Sequence, residues 1–76
     1  MPEIEVFPIL KNGKRRATLS IIYDNSGWKV YVMYINSKKG DILASGTELL
    51  GKESALQIGL KMSGDWRDEE TKAGRF

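Results

Sequence analysis

The chain has 76 residues, with twelve Lys and Arg against ten Asp and Glu, no Cys and no His. That length supports one domain with a small core, and the missing Cys and His exclude disulfides, Cys/His metal sites and the commonest general base. A net charge of +2, with 41% hydrophobic and 29% charged residues, is ordinary globular composition and does not by itself mark a nucleic-acid binder.

The opening MPEIEVFPIL has neither a basic leader nor a long apolar run, so no targeting or membrane segment is expected and a cytoplasmic location is. Residues 3–10 alternate, with Ile4 and Val6 on one side and Glu3 and Glu5 on the other, which predicts a strand. Pro8 has no N–H to give a ladder, so this strand lies at an edge or ends in a bulge. Asn12-Gly13 is a strong hairpin signal because both residues accept positive φ. Residues 17–23 then place Ala17, Leu19, Ile21 and Tyr23 on one face and Thr18, Ser20 and Ile22 on the other.

A second turn is expected at Asp24-Asn25-Ser26-Gly27. The segment Trp28–Ile35 follows, apolar on both faces, as a central strand is. A third turn at residues 36–41 leads to a short strand at 42–45. Ser45 or Thr47 is then placed to cap a helix, with Ser45 and Glu48 at capping-box spacing. The helix body is predicted at about 52–64. At about 100° per residue, Ala55, Leu56, Ile58, Gly59, Leu60, Met62, Ser63 and Trp66 fall on one broad arc. Gly59 sits mid-arc, which predicts close approach of the helix to the sheet. The expected class is α+β, an antiparallel three- or four-stranded meander packed against one C-terminal helix. The expected domain spans residues 1–66, followed by a polar tail at 67–76 that frays.

Catalytic patterns are sparse. Six serines are present, but none lies in a Gly-x-Ser-x-Gly elbow and no His can activate one. Ser45-Gly46-Thr47 at a helix start could hold an anion through backbone N–H groups, but ordinary capping accounts for it equally. Asp24 and Glu53 resemble the opening carboxylates of the ribonuclease H fold, which holds two metal ions. That family requires further carboxylates on later strands, so Asp24 is read as a turn residue and Glu53 as a solvated helix residue. The reading is not an enzyme, with no cofactor, no metal and no small-molecule substrate.

Charge placement carries more. In an antiparallel meander the first and third turns share one end of the sheet. Lys11, Lys14, Arg15 and Arg16 are therefore expected beside Lys38 and Lys39, a basic end able to hold a phosphate backbone. The same cations in exposed turns also serve solubility alone. Tyr31 on a sheet face could stack on bases. The acidic stretch after Trp66 is expected to return toward the basic end and oppose it. The two-sided third strand gives a second expectation: one helix covers one face, leaving Ile22, Tyr31, Met33 and Ile35 for a homodimer or protein partner. The alternative cover is the amino-terminal segment with Phe7, Ile9 and Leu10.

From Gly27 to Leu60 the chain resembles the small YegP-like domains, sheet-plus-helix proteins of unknown function. The matching residues are Gly40, Ile42, Leu43, Ala44, Ser45, Lys52, Ser54 and Ala55. Gly51 stands where that family has Ser, and Gly59 is one position later than the family's Gly. The resemblance implies the same strands-then-helix topology and no mechanism. The chain is also similar in outline to the arm-binding domains of phage integrases and to plant DNA-binding domains in which a sheet enters the major groove. That likeness implies contacts from Lys14, Arg15, Arg16, Lys29 and Tyr31. The leading function is thus a nucleic-acid-binding module, with a homodimerising protein-interaction or inhibitor module as the alternative.

Overall fold

The structure, a computed structural model, describes residues 3–24, 27–45 and 51–76. Four strands, β1 (Glu3–Lys11), β2 (Lys14–Asp24), β3 (Gly27–Tyr34) and β4 (Gly40–Ser45), precede one helix, α1 (Lys52–Lys72). Every strand pairs antiparallel with its chain neighbour, in the order β1-β2-β3-β4. Among the described residues the fold is α+β, a four-stranded open sheet followed by the helix α1.

The local chemistry accounts for these elements. Asn12 and Gly13 take φ of 54° and 79°, the two left-handed residues that a tight hairpin with native strand twist requires. Pro8 lies on the edge strand, and the β1–β2 register slips between Ile9 and Leu10, so both features expected of that segment occur together. A second irregularity lies between β3 and β4, where Val30 faces Ala44 and Tyr31 faces Ile42, leaving Leu43 as the extra residue.

The register sorts side chains onto two faces. Leu19, Ile21, Val30 and Val32, from the two central strands, are the largest fully buried side chains, joined by Ile9, Ala17, Ala44 and Ala55. The buried residues of the first three helical turns are Ala55, Gly59 and Ser63, four apart and all small. A Cβ added at Gly59 would lie 2.9 Å from Ile21 Cδ1 and 3.5 Å from Val30 Cγ2, the close approach that this glycine predicts. The apolar arc is narrower than expected at one margin: Leu60, one residue past that stripe, is 53% exposed.

The helix also differs from expectation at both ends. Its N-cap is Gly51, with no side-chain cap hydrogen bond, because Ser45 is still the last residue of β4. Thr47, Glu48, Gly46 and the turn residues Asn25 and Ser26 fall outside the described residues. At the other end the helix runs to Lys72 rather than stopping near 64. Residues 67–72 are dense in good helix formers, and Lys72 in the last turn suits the helix dipole, so the charge that suggested a fraying tail is compatible with helix. Gly74, at φ 78°, ends it: its N–H donates to Thr71 O, and Arg75 N–H donates to Glu70 O, the paired bonds of a Schellman motif.

Phe76 then folds back and is 7% exposed, so residues 67–76 belong to the packed structure rather than to a loose tail. Nor does the amino-terminal segment cross the second face of the sheet. It is β1, alongside β2, and Phe7 and Ile9 join the core on the helix side. No helix among the described residues is long and apolar enough to cross a membrane.

Candidate nucleic-acid interface

The β1–β2 hairpin and the β3–β4 connection meet at one end of the sheet, around a groove of about 700 Å³. Lys11, Asn12, Lys14, Arg15 and Arg16 line one side, and Tyr34, Ile35, Asn36, Ser37 and Arg75 the other. The β1–β2 bulge helps build it. With Ile9 opposite Ala17 and Leu10 opposite Arg15, Arg16 is the additional residue, so three consecutive cations fit beside a two-residue turn. Arg16 O accepts from Ile35 N–H at 3.1 Å, tying the groove's two walls together.

Four of the six cations expected at this end line the groove; Lys38 and Lys39 do not. Their turn is closed by Ser37, whose Oγ accepts from Lys39 N–H at 3.1 Å and donates to Lys39 O at 3.0 Å. Both lysines stay exposed on that turn. Lys29 belongs to the opposite end, paired across the sheet with Ile22 and Ser45. Tyr31 lies mid-sheet, facing Ser20 and Ile42, with its ring against Gly40, where a Cβ would come within 2.3 Å of Cζ. Its hydroxyl lies 3.7 Å from Met33 Sδ. Tyr31 is therefore built into the sheet surface, away from the groove. Of the residues expected at an apolar interface, Ile22, Tyr31 and Met33 share the face away from the helix, whereas Ile35 follows β3 and lines the groove.

Asn12, Tyr34, Asn36 and Ser37 line the groove without having been expected there, and Arg75 is a groove cation that sequence reasoning missed. Its guanidinium donates to Glu70 Oε2 from Nε at 2.9 Å and from a terminal nitrogen at 2.6 Å, and Tyr34 donates to Glu70 Oε1 at 3.0 Å. Glu70 is nearly buried. The Arg75 hydrogen bond holds its carboxyl below the ordinary value; burial opposes this and the Tyr34 hydroxyl reinforces it. Tyr34 is pushed up, first by burial and then by its bond to the Glu70 carboxylate. The signal in the sequence was Lys72 followed by Gly74, a helix stop that fixes where the next residue points.

This corner is closed by aromatic packing. Tyr34 and Trp66 have centroids 5.2 Å apart, and Phe76 sits 6.2 Å from Tyr34 and 6.1 Å from Trp66. The Lys11 ammonium lies 6.0 Å from the Phe76 ring centroid and donates to the Phe76 main-chain oxygen. Of the acids after Trp66, Glu70 is the one that reaches the corner, and it is committed to Arg75 and Tyr34, while Asp68 and Glu69 are exposed. Among the described residues neither Lys14 nor Arg15 has an ion-pair partner. The site thus offers uncommitted N–H donors on a fixed hairpin, a chemistry suited to oxyanions. Glu53 is exposed in the first turn of the helix.

No protein-family model matches the chain, and no curated protein or solved structure is significantly similar to it.

Proposed function

We propose that this is a small, non-enzymatic binding module that holds the phosphate backbone of a nucleic acid at the basic end of its sheet. The supporting observation is the groove itself, where Lys14 and Arg15 stand beside Lys11 and Arg16 with no acidic partner among the described residues. The overall balance of +2 gives little long-range attraction, so binding rests on this local cluster. Lys38 and Lys39 flank it and contribute less; Lys29 and Tyr31 are not part of it. A cytoplasmic setting, in keeping with a chain free of cysteine, belongs to the same proposal.

The test is anisotropy of labelled single- and double-stranded oligonucleotides against salt. Four phosphate contacts to a duplex give a log–log slope of about −3 to −4. Arg15→Glu with Arg16→Glu should remove binding, while Lys38→Glu with Lys39→Glu should weaken it only a few-fold. No binding of DNA or RNA at low salt would overturn the proposal.

A further inference from the structure

The two walls of the groove differ in chemistry. The β1–β2 hairpin supplies charge, through Lys11, Lys14, Arg15 and Arg16. The segment after β3 supplies Ile35, Asn36 and Ser37, none of them charged. Ile35 is 50% exposed, and its N–H donates to Arg16 O, which fixes an apolar residue beside the cations. The cations themselves divide. Lys11 donates to the Phe76 main-chain oxygen and Arg16 Nη2 lies 3.4 Å from Arg75 O, so these two brace the hairpin against the segment after α1. Lys14 and Arg15 have no acidic partner among the described residues and are left for a ligand.

A duplex answers to one wall only. Its base faces are stacked inside, and most of what it offers a protein is phosphate and sugar, which would leave Ile35 against a hydrated, anionic surface. A single strand carries both chemistries in one chain, with phosphates along its backbone and unstacked bases that have apolar faces and hydrogen-bonding edges. Asn12 and Asn36 each offer amide donors and an acceptor to such edges. The size agrees. About 700 Å³ is the volume of a small-molecule site and has room for a nucleotide unit, whereas a duplex would lie across the mouth. Tyr34 also lines the groove, but its ring packs with Trp66 and Phe76 and its hydroxyl is bonded to Glu70, so contact with a base falls to Ile35.

We infer that the groove takes single-stranded nucleic acid, with phosphates on Lys14 and Arg15 and a base against Ile35. The inference rests on nucleic-acid binding at the groove and adds the class of strand.

The test is fluorescence anisotropy of the full chain with three labelled probes of equal length at one low salt concentration. They are a strand that does not self-pair, the duplex of the same sequence, and an abasic strand with the same phosphates. The base-bearing strand should bind roughly fivefold or more tighter than either of the others, as covering a half-exposed Ile side chain implies. The duplex has the denser charge, so charge alone predicts the reverse order. Ile35→Ser should weaken single-strand binding by a similar factor with an unchanged slope of log K against log salt, because no phosphate contact is removed. An unaltered far-ultraviolet circular dichroism spectrum reports that this variant is folded. A duplex or an abasic strand that binds as tightly as the base-bearing strand overturns this inference and leaves phosphate binding at the groove standing. An Ile35→Ser chain of wild-type affinity overturns the base contact. Binding of none of the three probes overturns both this inference and the reading on which it rests.

Discussion

The two faces of this sheet are built from alternate residues of the same strands, yet they have different fates. On the helix side, Leu19, Ile21, Val30 and Val32 are at most 1% exposed. On the other, their neighbours Ile22, Tyr31 and Met33 are half-buried and Ile4, Val6 and Ile42 largely exposed. Both faces are apolar, so hydrophobicity alone does not choose between them. The choice follows shape: the stripe Ala55, Gly59, Ser63 lets the helix backbone settle onto the branched side chains of Ile21 and Val30.

The strongest way to test that contrast is to hollow the covered face. Ile21→Ala removes a fully buried side chain at the closest helix contact and should cost roughly 2–5 kcal/mol in urea unfolding. A loss no greater than that of an exposed-face substitution would erase the difference between the faces.

A smaller effect is expected where the covered side meets the basic corner. Glu70→Gln keeps the shape but loses the charged partner of Arg75, for about 1–2 kcal/mol at neutral pH. The folded-state carboxyl titrates below its ordinary value near 4.5, so its contribution is complete above that value. It is lost as the pH falls through the depressed folded value. The gap between wild type and Glu70→Gln should therefore close in acid, and a gap that widened would contradict the assigned role.

The smallest effect belongs to the open face. At dilutions where the chain is monomeric, Ile42→Ser should change stability by no more than about 0.5 kcal/mol. A loss of several kcal/mol would mean that something covers this face within one chain.

Much of the fold was legible from residue pattern. Alternation marks the strands, Asn12-Gly13 marks the first turn, and Gly59 marks the helix–sheet contact. Meander topology alone brings Lys11 to Arg16 beside the third turn. Other features escaped for physical reasons. Charge density after Trp66 suggests solvation, yet those residues are good helix formers, and only the stop at Gly74 shows that Arg75 and Phe76 turn inward. In β1 both parities are apolar, Ile4 and Val6 against Phe7 and Ile9, so alternation does not say which side is covered. Lys29 carries the right charge but sits one strand length from the groove, a distance that only the register makes plain.

The pairing order has a kinetic consequence. Each strand joins its immediate predecessor, with Asp24 already opposite Gly27 at the second connection, so the sheet assembles through short loop closures of low entropic cost. The corner at Phe76 is different, because Lys11 and Phe76 meet across 65 positions of chain. That contact carries a much higher closure cost than the hairpins and is expected to form after them. The groove walls can thus come together early, while the aromatic corner that fixes Arg75 beside them is completed late.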